Sequence, residues 1–167
     1  MRRRRTLATQ TGPASDDVGQ GIPSNNTATA QWFAYLGAAP LIAAAMMVVR
    51  DGPFAGLAAD FMGLYGAALI VFFGGVRWGV AVMKPDGPSP KALIGAAFPL
   101  VIALPLFSPM VLQWKFGLIM VLMIILLFDD LGASRRGTGA PTWYLSARLP
   151  LTMLIEVAFL VAFMGLA

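Results

Sequence analysis

The feature that most constrains this chain is a series of five apolar stretches, each about as long as a bilayer is thick. They cover residues 31–49, 61–83, 92–107, 111–128 and 148–166. A helix needs about 20 mainly apolar residues to cross the hydrocarbon core, and backbone groups in lipid must find hydrogen bonds within their own segment. The sequence therefore predicts an all-α integral membrane protein, with a bundle of five transmembrane helices in residues 31–167.

The boundary between the third and fourth stretches depends on proline. Residues 92–128 form one apolar block that is too long for a single span, and Pro109 interrupts it. Proline lacks a backbone N–H and cannot continue a helix, so we expect the chain to reverse at residues 107–110. Pro99 and Pro105 predict a local kink inside the third span.

Residues 1–30 are polar and show no apolar periodicity, which predicts a disordered tail. With five spans, this tail and the loops 84–91 and 129–147 lie on one side, and they carry eight Lys and Arg against two on the other side. Cytoplasmic loops carry the basic excess. We therefore expect a bacterial-type inner membrane protein with a cytoplasmic N-terminus and a periplasmic C-terminus. An arginine-rich start is also typical of organelle transit peptides, so the mitochondrial inner membrane is the alternative.

Composition excludes several kinds of site. The chain has no cysteine and no histidine, which removes disulfides, thiolate and imidazole metal ligands and imidazole proton relays. The sequence contains no nucleophile–base set, phosphate-binding glycine loop or metal-ligand spacing. We expect no catalytic residue, no metal site and no cofactor. The only basic cluster is at the tail, so a nucleic-acid partner is not expected either.

Small residues and one arginine share a face of the second span. Successive helical residues are about 100° apart, which brings Gly63, Gly66 and Arg77 onto one side, opposite a face of large apolar residues. Small residues let helices approach closely in a bilayer. We expect Arg77 to point into the bundle and the glycines of this span to lie at helix contacts. These glycines are Gly63, Gly66, Gly74, Gly75 and Gly79.

Arg77 needs a partner, because an uncompensated arginine at mid-membrane costs about 2.5–3.5 kcal/mol. Glu156 lies at a similar depth in the last span, and we expect the two side chains to approach each other. Three further charged residues lie at the same end of the bundle. The complete predicted polar cluster is Arg77, Asp129, Asp130, Arg148 and Glu156. Such a cluster is either a functional site or a network that only fixes helix packing. In a third interpretation there is no cluster, and Arg77 alone extends its side chain to the membrane interface.

Asp129 and Asp130 are adjacent, so on a helix their carboxylates point about 100° apart and do not converge well on one ion. A solvated helix end is the expected environment of this pair. Trp78, Trp143 and Tyr144 lie near the same interface and are expected to anchor the protein there. A site for a lipid headgroup or a quinone is the alternative for these aromatic residues.

Three motifs carry a resemblance to a known family. They are YLGAAPL at 35–41, GGVRWG at 74–79 and PTWYLSARLPLT at 141–152. Together they resemble domain of unknown function 3429, a family of small multi-pass membrane proteins that includes the animal transmembrane protein 69. The most specific matching positions are Gly75, Arg77, Trp78, Gly79, Trp143, Tyr144 and Arg148. The resemblance implies the membrane architecture and no established activity.

Two functions are consistent with these observations. The first is a non-catalytic accessory, assembly or structural component of a membrane complex, whose partners are the bilayer and another membrane protein or a second copy. The alternative is a small transporter, or a protein that handles protons or lipids, acting through the region of Arg77 and Glu156. A cavity that reaches the polar cluster would favour the alternative, whereas a dry and fully paired cluster would favour the first.

Overall fold

A computed structural model of the protein describes residues 25–137 and 139–166, and all regular structure in these residues is helical. The helices are α1 (Asn25–Leu36), α2 (Ala39–Val49), α3 (Ala55–Val82), α4 (Pro90–Ala103), α5 (Leu112–Arg135) and α6 (Thr142–Gly165), and a 3₁₀ helix at Leu104–Phe107 extends α4. Five helical segments of the described chain are long and apolar enough to cross a membrane. They are α1 and α2 together, α4 with its 3₁₀ extension, and each of the other three helices. The predicted fold class is confirmed.

Several helices are longer than the apolar stretches that predicted them. α3 begins at Ala55 and α5 continues to Arg135, beyond the expected limits at residues 61 and 128. The length of an apolar stretch reflects the thickness of the hydrocarbon core. A helix can extend further, because it ends only where its backbone hydrogen bonds end. Residues 25–30, predicted as part of the disordered tail, belong to α1. The rest of that tail lies outside the described residues.

The first span is interrupted where α1 gives way to α2. Pro40 lies in the first turn of α2 and cannot donate a backbone hydrogen bond to the preceding turn. The N–H of Gly37 bonds to the carbonyls of Phe33 and Ala34, at 3.2 and 3.1 Å, which closes α1. The Tyr65 hydroxyl of α3 donates to the Gly37 carbonyl at 2.8 Å. A side chain of the neighbouring helix thus satisfies a carbonyl at the break.

Close helix packing around α3 depends on glycine. A Cβ atom at Gly66 would lie 2.6 Å from the ring of Phe159 and 3.0 Å from Ile119. A Cβ atom at Gly74 would lie 3.0 Å from the side chain of Pro99, the proline within helix α4. Helix α3 packs against α2, α4 and α5, while α6 packs against α1, α2 and α5. The core is therefore built from close backbone approaches, as expected where lipid replaces water around the bundle.

The two ends of the bundle differ in charge. At one end of the bundle α3 and α5 finish and α4 and α6 begin. We call this the basic end, because it carries Lys84, Lys91, Arg135 and Arg136. α1 also starts there, since its Gln31 side chain donates to the Ser146 hydroxyl of α6 at 2.8 Å. At the opposite end the only buried charged side chain among the described residues is Lys115.

Candidate functional site

Arg77 lies near the C-terminal end of α3, and its guanidinium binds entirely to α5. Nε bonds to Asp130 Oδ1 at 2.7 Å, Nη1 to Asp129 Oδ2 at 2.8 Å, and Nη2 donates to the Leu126 carbonyl at 2.7 Å. All three nitrogens of the side chain are engaged. The cation is therefore compensated inside the bundle, and it does not extend alone to the interface.

The two adjacent aspartates converge on this one arginine, contrary to the expectation of a solvated pair. A guanidinium is planar and offers donors along more than one edge, so carboxylates that diverge on the helix reach different nitrogens of the same group. Their environments differ sharply. The side chain of Asp129 is 60% exposed and that of Asp130 is 12% exposed.

Arg148 on α6 completes the cluster in a drier position, since it is only 1% exposed. Its Nε faces Asp130 Oδ2 at 3.4 Å, and its Nη1 donates to the Thr152 hydroxyl at 2.9 Å. The guanidinium carbon lies 3.2 Å from the centroid of the Phe73 ring, a cation–π contact. Asp130 therefore bridges two arginines, and two positive charges meet two negative ones across α3, α5 and α6.

Glu156 is not part of this cluster, which corrects the expected pairing with Arg77. Its Oε1 atom is buried and has no hydrogen-bond partner among the described residues. Matching depths along two helices do not determine which neighbour an arginine faces. Helix α3 packs against α5. Because α5 continues beyond residue 128, it places Asp130, and not Glu156 of α6, next to Arg77.

A cavity of about 700 Å³ opens beside the cluster at the basic end. Arg77, Asp129 and Asp130 line it, so the polar cluster has access to this space. Its other polar side chains are Lys84, Ser89, Lys91, Arg136 and Tyr144. Its apolar surface comes from α3 and α4, mainly Val76, Val80, Ala81, Ala92 and Ala96. One cavity thus combines a charged region with an apolar wall.

The charges around the cavity are unbalanced. Arg77 and Arg148 together compensate Asp129 and Asp130, the two carboxylates in the lining. Among the described residues, no carboxylate lies within ion-pair distance of the three other cations of the lining, Lys84, Lys91 and Arg136. The cavity therefore has an excess of positive charge.

The connection between α5 and α6 folds back to form part of the cavity wall. The Gly139 N–H donates to the Ala133 carbonyl at 3.1 Å, and the Ser134 hydroxyl donates to the Ala140 carbonyl at 3.0 Å. A Cβ atom at Gly139 would lie 2.7 Å from the Ser134 nitrogen, so only glycine fits this approach. This turn places Gly139 and Ala140 beside Arg136 in the lining.

The remaining predicted residues occupy different surroundings. Trp78 and Trp143 are each 47% exposed near the basic end, on helix surfaces where interfacial aromatic residues are usual. Tyr144 instead lines the cavity. A Cβ atom at Gly75 or Gly79 would meet nothing within 4 Å, so these glycines face open space, unlike Gly66 and Gly74.

The sequence-based reasoning missed Phe73, Lys84, Lys91 and Arg136. The three cations were interpreted only as signals of topology. Residue spacing offered one clue, since Phe73 precedes Arg77 by four residues, which places it near the same face of the helix. Lys84 follows just after the end of that helix. For Lys91 and Arg136 the sequence held no comparable signal, because other helices bring them to the cavity.

Comparison with known proteins shows a family to which this chain belongs. A family model described as a protein of unknown function, DUF3429, matches residues 26–164. The chain belongs to the DUF3429 family. The match covers almost all of the six helices and hence the whole cavity of this DUF3429 protein. No curated protein and no solved structure is significantly similar to it. The relation to transmembrane protein 69 stays a prediction.

Proposed function

We propose that this DUF3429 protein binds an amphiphilic ligand in the cavity at its basic end and does so without transforming it. The observation that carries the proposal is the cavity itself, which is lined by charged side chains and by apolar helix surface. Its volume of about 700 Å³ lies in the range of small-molecule sites. Access to the polar cluster is also the feature that favours a ligand-handling function over a purely structural one.

The division of the lining supports an amphiphile. Lys84 and Lys91 lie where α3 ends and α4 begins, whereas Val76, Val80 and Ala96 lie further along these helices. A ligand with a polar head and an apolar tail would place each part against matching surface. A purely polar solute would leave the apolar wall uncovered.

The polar cluster supports the walls of the cavity in this proposal. Arg77, Asp130 and Arg148 tie α3, α5 and α6 together through hydrogen-bonded ion pairs. Removing one member of such a network leaves a buried charge without its partner, which is costly. The cluster therefore ties three helices together, while Lys84, Lys91 and Arg136, which have no carboxylate partner among the described residues, are available to the ligand.

In the same proposal all five apolar segments cross the membrane, with the basic end at the cytoplasmic face of a bacterial-type inner membrane. The support is the excess of Lys and Arg at that end. The chain has no cysteine, so single cysteines report topology directly. We expect a membrane-impermeant maleimide to label Gly52→Cys in intact cells and Asp86→Cys only after permeabilisation. The reverse pattern would contradict the orientation.

An accessory or assembly role in a larger membrane complex stays a prediction of the sequence. It requires a partner surface, and the open helix face at Gly75 and Gly79 is compatible with one. Co-purification in mild detergent tests it. A stoichiometric partner or a homo-oligomer would support this role, and its absence would leave ligand binding as the function.

The main test of ligand binding uses cysteine accessibility. Ala92 lines the cavity and is partly exposed, whereas Ala103 is fully buried and lies away from it. We expect Ala92→Cys to react with a water-soluble methanethiosulfonate and Ala103→Cys to remain unmodified in the folded protein. Lysophosphatidic acid or lysophosphatidylcholine should slow the modification of Ala92→Cys. An unreactive Ala92→Cys, or one that neither lipid protects, would overturn the proposed function.

A further inference from the structure

We infer that the ligand of this cavity is anionic, that Lys84, Lys91 and Arg136 hold a phosphate-type headgroup, and that the headgroup belongs to a membrane lipid. This inference rests on the proposed function and specifies its ligand. It follows from the charge, position and surroundings of three side chains that the polar cluster does not use.

The three cations reach the cavity from three different segments. Lys84 follows the end of α3, Lys91 lies in the first turn of α4, and Arg136 directly follows α5. None has a carboxylate within ion-pair distance among residues 25–137 and 139–166. Three converging cations without counter-charges form a site that an anion stabilises.

The two carboxylates of the lining do not neutralise this excess. Asp129 and Asp130 bond to Arg77 at 2.8 and 2.7 Å, and Asp130 also faces Arg148. Within the cluster, two arginines meet two aspartates. The lining itself carries four positive and two negative charges, a net charge of +2, and Arg148 behind it completes the pairing of the two aspartates.

The start of α4 adds to the positive potential. Ser89 caps this helix, since its hydroxyl accepts from the Ala92 N–H at 3.2 Å, and both residues line the cavity. Pro90 at the first helical position has no N–H and Ser89 already accepts from Ala92, so the contribution of this helix start is chiefly the positive end of its dipole. Because Ser89, Lys91 and Ala92 all line the cavity, the dipole and the Lys91 side chain reinforce each other.

The apolar wall identifies a lipid as the source of the headgroup. Val76 lies six residues before the end of α3 at Val82, about 9 Å along the helix at 1.5 Å per residue, and Lys84 follows that end. Val76, Val80 and Ala96 line this length of the cavity. Free phosphate would use only the cations, whereas each methylene of an acyl chain placed along this wall adds to the affinity. Basic sites between helices at the membrane surface recognise anionic lipid headgroups in this way.

The test compares three probes on the full-length protein in uncharged detergent. They are lysophosphatidic acid, lysophosphatidylcholine with the same acyl chain, and inorganic phosphate; native mass spectrometry or thermophoresis gives the dissociation constants. We expect lysophosphatidic acid to bind about tenfold more tightly than lysophosphatidylcholine or phosphate. Its affinity should fall as the salt concentration rises, because exposed charges are screened.

Variants connect this preference to the three cations. The triple variant Lys84→Gln, Lys91→Gln, Arg136→Gln should lose the tenfold preference while it still binds both lysolipids weakly. Arg135→Gln is the matched control, since it removes an adjacent positive charge that does not line the cavity, and it should change the affinity less than twofold. Thermal unfolding checks that each variant is folded. If the triple variant does not fold, Lys91→Gln alone should reduce the preference several-fold.

Each outcome has a distinct meaning. Equal affinity for the two lysolipids, or a preference that survives the triple substitution, overturns the anionic ligand and leaves the amphiphile proposal intact. Phosphate that binds as tightly as lysophosphatidic acid overturns the lipid source. Binding of neither lysolipid overturns the proposed function together with this inference. An equal loss in Arg135→Gln would show that surface charge alone accounts for the preference.

Discussion

The two ends of the bundle stabilise buried cations in different ways. At the basic end, Arg77 and Arg148 share two aspartates, and Asp130 contacts both arginines. At the opposite end, Lys115 is only 6% exposed, and its Nζ donates to the Ser108 carbonyl at 3.0 Å. A flexible lysine reaches a backbone carbonyl where the 3₁₀ helix has ended. Two planar guanidiniums instead bond to carboxylates in a defined geometry, and this ion-pair network lies beside a cavity.

The largest loss of stability is expected when the counter-charge of the buried arginines at the basic end is removed. Asp130→Asn keeps the shape of the side chain but leaves Arg148 without its carboxylate. Because Arg148 is buried, the free energy of unfolding should fall by about 3–5 kcal/mol. Unfolding in mixed micelles, followed by circular dichroism, measures this change. A loss below about 1 kcal/mol would show that the ion pair does not stabilise this end.

The next effect concerns the aromatic surface under Arg148. Phe73→Leu removes the ring that lies 3.2 Å from the guanidinium carbon and leaves a gap in the core, so the free energy of unfolding should fall by about 2 kcal/mol. Phe72→Leu is the control, because Phe72 is exposed on the same helix and should change stability by less than about 0.5 kcal/mol. Similar values for the two variants would contradict the cation–π contact.

A smaller effect is expected at the opposite end. Lys115→Met removes the cation but keeps the side-chain volume that packs against Gly63. The Ser108 carbonyl that loses its donor belongs to an exposed residue and can bond to water instead, so stability should change by about 1 kcal/mol or less. The same unfolding measurement applies. A loss as large as that of Asp130→Asn would remove the difference between the two ends.

The smallest effect separates the two aspartates of the basic end. Asp129→Asn weakens the bond to Arg77 Nη1, but this carboxylate is 60% exposed and surrounded by solvent. An exposed ion pair contributes less than about 1 kcal/mol, and we expect a loss of that size, reduced further at high salt. Equal losses for Asp129→Asn and Asp130→Asn would show that burial does not distinguish them.

The sequence predicted the fold far better than the contacts of the site. Apolar length identified the five helical segments that are long and apolar enough to cross a membrane, because the thickness of a bilayer sets the length that such segments need. It did not locate the start of α3, which already includes residues 55–60, or the end of α5, where the charged Asp129, Asp130 and Arg135 continue the helix beyond the apolar run. The same limitation concealed the role of Asp130, which lies outside the predicted span but inside the helix.

The site required information that helical periodicity does not contain. The positions of Arg77 and Glu156 gave a face and a depth on each helix, but not which helix was the neighbour. Arg77 therefore received the wrong partner, although Asp129, Asp130 and Arg148 were correctly placed in the same region. The cavity could not be predicted at all, because Lys91, Arg136 and Tyr144 come together only through the packing of separate segments.

One carboxylate in two simultaneous bonds makes distant parts of the molecule interdependent. Asp130 gives one oxygen to α3 and the other to α6, so both bonds depend on the orientation of one carboxylate. The effects of altering Arg77 and Arg148 should therefore not add, and a double-mutant cycle will measure the interaction energy. Through this single side chain, a change at Arg77 in the cavity lining can reach Arg148, a buried side chain that does not line the cavity.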